Sequence, residues 1–479
     1  MNKKIFFSFL IITSLCVVLM AAIMAGLFFY FRISASSNSL VLTDTSPDTS
    51  FKGSGNLPPQ PLDTPLPSAA GGSSTSNLPA EMKNQMDTIQ QQVISLRGLQ
   101  PNTPVTRDVL SPSDLQNRVE TEFFKDYSAQ DASDDVLLLS TLGLLPKDFD
   151  LVNLYKRIYS EQIAGYYDSE TKEMYVVKGN SFSGIERMTY AHEYTHTLQD
   201  QNYDLQNGLK LNDKNCKVET EYCAAATALV EGDASFIEQK WMMTSSTKTD
   251  KQDFQNFYGS YTSPVFDSAP QYLQKDFLFP YKQGLEFVYS LNDRGGYTLV
   301  NSAFKNPPTT TEQILHPDKY PAEKAVEVDL PDFTGILSRE WRLVKENTLG
   351  EWSTFLSLAY GQNGKTGLDE IKARTGAAGW GGDRYAIFTR STDNAVVFIL
   401  KSTWDTEEDA VEFFSASNLY GQARWGKPSF QDAHAIRWNN NSSNRVAFFR
   451  QGVNTLWLIS PDETVEKTVL TSLPAFQIQ

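Results

Sequence analysis

"TYAHEYTHTL", residues 189–198, holds two of the four histidines in this chain, four positions apart, with a glutamate directly after the first. Positions i and i+4 of a helix share a face, so His192 and His196 can hold one metal ion between them through imidazole nitrogens. Glu193 is rotated about 100° from His192, which keeps it out of direct coordination but within reach of a water on that ion. This geometry is why H-E-x-x-H suits metal-assisted hydrolysis. Zinc polarises a scissile carbonyl and acidifies water, and the glutamate takes the proton. Thr189, Tyr190, Ala191, Tyr194, Thr195, Thr197 and Leu198 are all uncharged, as expected of a helix buried under a cleft rather than a solvated one.

Catalytic zinc takes a third protein ligand and leaves a position for water. "ALVEGDASF" offers Glu231 on a helix otherwise rich in Ala, Leu and Val. A carboxylate placed there needs a partner, and a metal is one. Glu219, Glu221 and Asp233 are rival ligands. Asp200, one turn beyond His196, and Asp233 are candidates to accept a hydrogen bond from a ligand imidazole and fix its tautomer.

"TYAHEYTHTL" followed by "VEGDA" resembles the zincin metallopeptidases of the gluzincin type, over roughly residues 160–245. The resemblance implies that His192, His196 and Glu231 hold Zn2+, that Glu193 is the general base, and that peptide bonds in a peptide or protein substrate are cleaved. Two departures stand out. Asp233 comes too early for the E-x-x-x-D of thermolysin-like enzymes, and no G-x-M-E-N exopeptidase signature is present. There is also no third histidine of the metzincin type after His196. The family places an edge strand above its cleft, for which "EMYVV" (173–177) is the candidate. It also places a His or Tyr at the developing oxyanion, for which His316 is the candidate, with Tyr281 or Tyr320 as alternatives. A zinc hydrolase acting on another bond, or a catalytically silent surface-binding protein on the same scaffold, are the competing readings. The intact Glu193 counts against the second.

Around the motif, "PAEMKNQMDTIQQQVISLRGL" reads as an amphipathic helix with Met82, Met86, Ile89, Val93 and Leu96 at helical spacing. "SPSDLQNRVETEFFKDY" reads as another, capped by Ser111 or Ser113, and 133–163 as largely helical. "AGYYDSETKEMYVVKG" reads as a hairpin of Gly165–Tyr167 with Glu173–Val177. Ser183 and Glu186 form a capping box before the metal helix, which extends to about Gln201. Further helices are expected at 223–243, before Gly295 and Gly296, and after Thr310. Beyond about residue 330, "REWRLVKENTLGEWSTFLSLAY", "GLDEIKART" and "TEEDAVEFFSASNLYG" read as helices. "DRYAIFTR", "NAVVFILKSTW", "HAIRWNN", "RVAFFRQG" and "NTLWLIS" read as strands of an antiparallel sheet. The glycines of "GWGGDRY" read as a tight loop, and His434 as structural.

The whole chain of 479 residues, 41% hydrophobic and 21% charged, is enough for two domains with extensions. A net charge of -15 and the lack of a basic stripe argue against nucleic acid as a partner. From Ile5 to Phe31 no residue is charged, long enough to span a bilayer. Lys3 and Lys4 precede this run and Arg32 follows it. The positive-inside rule then leaves the N-terminus cytoplasmic and the rest outside, in a single-pass cell-membrane protein. Cleavage as a signal peptide is the alternative. In an oxidising compartment Cys216 and Cys223 are a candidate disulfide, two free thiols being the other reading. The expected fold class is α+β. Residues 1–32 form a cytoplasmic tip and transmembrane helix, and 33–80 a Ser/Pro/Gly-rich linker. Residues 81–330 form a zincin-like catalytic domain, a small sheet or hairpin plus a helical lobe, and 331–479 a C-terminal α+β domain.

Overall fold

The computed structural model describes residues 78–124, 127–177, 182–361, 366–441 and 444–477. The expected transmembrane segment (1–32) and nearly all of the expected linker (33–80) lie outside these residues. Among the described residues no helix is long and apolar enough to cross a membrane.

The fold is α+β: a helical region carrying a small sheet, then an antiparallel sheet at the C-terminal end. Helix α1 (Ala80–Arg97) buries Met82, Met86, Ile89 and Val93, four of the five expected side chains, with Leu96 half-buried. Gly98 ends it in the left-handed conformation, φ 75°, where a side chain would be strained. After strand β1 (Thr106–Leu110), Ser111 caps the helix Pro112–Arg118 through a capping box with Asp114. Helices Ala129–Thr141 and Leu151–Gln162 follow. Strands β2 (Gly165–Asp168) and β3 (Glu173–Val177) form the expected hairpin. However, β1 pairs in parallel with the other side of β3, giving the order β1-β3-β2. "EMYVV" is therefore the central strand. The edge strands are β1 and β2.

Helix α2 (Gly184–Tyr203) follows, with the Ser183 N–H donating to the Glu186 carboxylate at 2.9 Å. Every residue from Met188 to Asp200 is buried, so α2 runs through the interior rather than burying one stripe. It packs against α3 (Thr220–Thr244), and α3 packs in turn on α4 (Gln271–Lys305), whose helical geometry breaks at Gly295 and Gly296 as their composition predicts. Gly232 of α3 and Gly284 of α4 meet where the helices cross. A Cβ on either would overlap backbone of the other helix, so the glycine that interrupts an otherwise strong helix sequence is what allows this close approach. Cys216 and Cys223 are disulfide-bonded, tying the loop before α3 to its first turn.

The C-terminal sheet is antiparallel throughout, in the order β4-β5-β6-β10-β9-β8-β7, from β4 (Trp341–Asn347), β5 (Trp380–Arg390), β6 (Val396–Trp404), β7 (Phe430–Gln431), β8 (Ala435–Asn441), β9 (Asn444–Gln451) and β10 (Asn454–Ser460). Side chains alternate between faces with period 2. Ile387, Phe398, Leu400, Phe448 and Trp457 join a core continuous with the helical region. Phe388, Val397, Ile399, Phe449 and Leu458 face a second core closed by the helices Phe333–Ile336 and Glu463–Thr471. The first face is covered by α5 (Gly350–Ala359) and α6 (Glu407–Trp425).

One expected helix is half strand. "WRLVKEN" pairs with β5, and only Gly350–Ala359 is helical. Asp383 of β5 makes the switch: its carboxylate accepts the Leu349 N–H at 2.7 Å and the Gly350 N–H at 3.0 Å, fixing the start of α5 from the neighbouring strand. Such tertiary pairing overrides local helix propensity. In "GWGGDRY", the glycines from Gly381 on sit inside β5 at a bulge between Trp380 and Gly382, rather than in a loop before it.

Candidate metal centre

His192 and His196 lie in consecutive turns of α2, and Glu231 faces them from α3. All three are buried. His192 Nε2 is 3.2 Å from Glu231 Oε2, His196 Nε2 is 3.3 Å from the same oxygen, and the two Nε2 atoms are 3.0 Å apart. Ligands about 2.0–2.1 Å from a tetrahedral zinc stand about 3.3 Å from one another, so this triangle has the size of one face of such a site.

The outer nitrogens decide which way the rings point their protons. His192 Nδ1 lies 2.9 Å from Glu238 Oε2. His196 Nδ1 lies 2.9 Å from Gln199 Oε1. The Gln199 amide N–H₂ is committed to the Val230 carbonyl at 3.0 Å and to Asp233 Oδ2 at 2.8 Å, so its oxygen must face the ring. Both imidazoles then carry their proton on Nδ1 and aim an Nε2 lone pair inward. Two lone pairs and a carboxylate oxygen converge on one point, an arrangement that a metal ion or a proton between them would relieve. On this ground the three residues could hold a metal ion.

The charges respond to this crowding. Burial opposes the His196 imidazolium, but the Glu231 carboxylate beside it outweighs burial and raises its pKa above the ordinary histidine value. Burial likewise works against the Glu231 carboxylate, and His196 and His192 overcome it to hold its pKa low. Burial raises Glu238, with His192 opposing. Metal binds neutral imidazole, so protons compete with it. A metal held by His192 and His196 would therefore be released as the medium is acidified, and the Glu231 carboxylate that raises the His196 pKa favours the competing proton. Equilibrium dialysis across pH with metal analysis reads this, and retention that does not fall on acidification would contradict it.

Glu193 is fully buried beside the triad. The Tyr167 N–H of edge strand β2 donates to its carboxylate. Burial pushes the Glu193 carboxyl up to about 7, against the pull of His196 and His192. Strand β2 comes this close because Gly165 has no side chain; a Cβ there would strike Thr189 of α2.

Two expected roles move. Asp200 does not reach a ligand ring. Its Oδ2 accepts from Tyr167 Oη and Lys172 Nζ, both at 2.6 Å, and its Oδ1 from the Leu205 N–H, so it fastens the hairpin to α2. It misses because the residue one helical turn past His196 points its carboxylate toward the hairpin. Asp233 acts one step removed: it holds Gln199, which holds His196, and it pairs with the buried Arg97 of α1 at 2.8 Å. The residues that do contact the rings, Glu238 and Gln199, were legible in principle. Glu238 is two turns after Glu231, on the same face of α3, and Gln199 is three residues after His196.

His316 does not join the triad. It caps the end of the helix Thr311–Leu315, half-buried, with Nε2 2.9 Å from Glu351 Oε1 of α5, within a charge cluster of Glu312 and Lys319. Its neighbours occupy it as a structural cap. Of the alternatives, Tyr320 donates to the Asn306 carbonyl at 2.6 Å. Tyr281 is buried on α4, three residues before the Gly284 contact with α3. Glu221, a rival ligand, accepts from the Thr311 N–H and hydroxyl instead.

A family described as a domain of unknown function (DUF8575) matches residues 341–470. The match begins at the first residue of β4 and ends in the last long helix, so it covers the C-terminal sheet and its flanking helices. No curated protein and no solved structure matches the chain. All residues of the candidate metal centre fall before the matched segment, and their reading rests on their geometry.

Proposed function

We propose that this protein is a membrane-anchored, extracytoplasmic zinc metallopeptidase of the gluzincin type, in which His192, His196 and Glu231 hold the metal and Glu193 is the general base. The observation that carries the reading is the convergence of two Nε2 atoms and one carboxylate oxygen, 3.0–3.3 Å apart, beside a buried glutamate. Zinc bound there would supply Lewis acidity to a scissile carbonyl and acidify water. Glu193 accepts the proton of the attacking water and delivers it to the leaving amine, a task for which a carboxyl near neutrality is suited. Glu238 and Gln199 hold the imidazoles in the tautomer that offers Nε2 to the metal. The edge of β2, whose Tyr167 N–H already turns toward Glu193, offers backbone pairing to an extended substrate.

The disulfide fits an oxidising compartment outside the cytoplasm. The test is cleavage of an unbiased peptide library with and without a chelator. The reading expects cleavage abolished by the chelator and restored by zinc. Absence of cleavage by zinc-loaded protein, or cleavage indifferent to the chelator, contradicts it.

A further inference from the structure

A cavity of about 530 Å³ lies between the helical region and the C-terminal sheet, within the size range of small-ligand sites. Aromatic side chains make up part of its wall, Tyr155, Tyr272, Phe279, Trp352 and Tyr385 among leucines and charged groups. The acidic groups on one side are already compensated, since Asp134 pairs with Arg342 and Asp135 with Lys345, both at 2.7 Å. Asp276 differs. Its Oδ1 accepts a hydrogen bond from Trp352 Nε1 at 2.9 Å, and among the described residues it has no ion pair. One turn before it, the Tyr272 hydroxyl is buried at the cavity wall with no hydrogen-bond partner among the described residues. The mechanism above uses neither group.

A carboxylate without a counter-ion and an unmatched hydroxyl, with aromatic side chains beside them, are elements that recognise organic cations. A metal ion is a poorer match, because among the described residues no cluster of three ligand atoms includes Asp276. We propose that this cavity binds an ammonium or guanidinium group carried on an apolar stem, with Asp276 taking the charge, Tyr272 the hydrogen bond and the aromatic side chains the stem. Burial pushes the Asp276 carboxyl up to about 6, a cost that such a cation would relieve. The cation can come from a free small amine or from a basic side chain of a bound peptide. Thr227, which lines the cavity, is one helical turn before Glu231, roughly 6 Å along the axis of α3. The proposal itself stands on the cavity and is independent of zinc.

The experiment is calorimetric titration of the full-length protein with n-butylguanidinium chloride and with n-butanol as the neutral control, in the presence of a chelator. Saturable binding of the cation is expected, at least about tenfold tighter than butanol. Asp276→Asn keeps the acceptor for Trp352 but loses the charge, and should weaken the cation about tenfold or more. Tyr272→Phe should weaken it several-fold without loss of thermal stability, because the hydroxyl has no partner to lose. Displacement by an arginine-containing peptide, and not by its citrulline counterpart, would assign the cation to a peptide side chain. Binding without such displacement would assign it to a free amine. No saturable binding, equal binding of butanol, or a folded Asp276→Asn protein that binds undiminished would overturn the proposal.

Discussion

Replacing Glu193 by glutamine is expected to lower chelator-sensitive peptide hydrolysis by about 10²–10⁴-fold, while zinc content stays at the native level. The two side chains have the same shape, and the glutamine carbonyl can still accept the Tyr167 N–H. Nothing in the packing around α2 needs to change. What is lost is the ability to take a proton from water and return it to the leaving group. The proposed metal ligands are other residues, so an amide at 193 leaves them in place. Single-turnover kinetics alongside metal analysis separates the two effects. If activity persisted within a few-fold, the base would lie elsewhere. If zinc were lost as well, Glu193 would belong to the ligand set.

The second large effect concerns Asp233. Its carboxylate joins the buried guanidinium of Arg97 and the amide of Gln199, so one side chain connects α1, α2 and α3. Arg97 is fully buried; it also donates a hydrogen bond to Asn301 and lies over the faces of Tyr297 and Phe304. Asp233→Ala leaves that charge without a counter-ion and should cost about 3–5 kcal/mol. It also frees the Gln199 amide, so zinc affinity should fall about 10–100-fold through the loosened His196. Urea unfolding with metal titration measures both. Arg97→Met together with Asp233→Leu should recover much of the stability but not the zinc affinity, because an apolar pair removes the buried charge without restoring the hold on Gln199. A stability loss under 1 kcal/mol in the single variant would show that Arg97 finds another partner.

Much of the centre is legible in the amino-acid sequence because a helical repeat translates directly into geometry. His192, Glu193 and His196 need only the period of a helix, and Ser183 with Glu186 need only the spacing of a capping box. Glu231 requires a three-dimensional assumption, that α3 packs on α2 with its carboxylate inward. The burial of every residue from Met188 to Asp200 is the consequence of layers on both sides of α2, which one helix's pattern does not contain. The same limit explains the losses. Whether "EMYVV" is an edge or a centre depends on β1, 67 residues earlier in the chain, pairing in parallel with it. "WRLVKEN" is composed like a helix and becomes a strand because β5 and Asp383 are there to receive it. Asp200 and His316 have the chemistry expected of them but are taken by nearer neighbours, Lys172 with Tyr167 and Glu351 respectively.

The most direct measurement is the zinc content of the purified full-length protein and of its Glu231→Ala variant, at neutral pH after dialysis against metal-free buffer. The account predicts one equivalent of tightly held zinc in the native protein and its loss from the variant, with circular dichroism showing the fold retained. A native protein that holds no zinc, or a variant that holds it as tightly, would contradict the account.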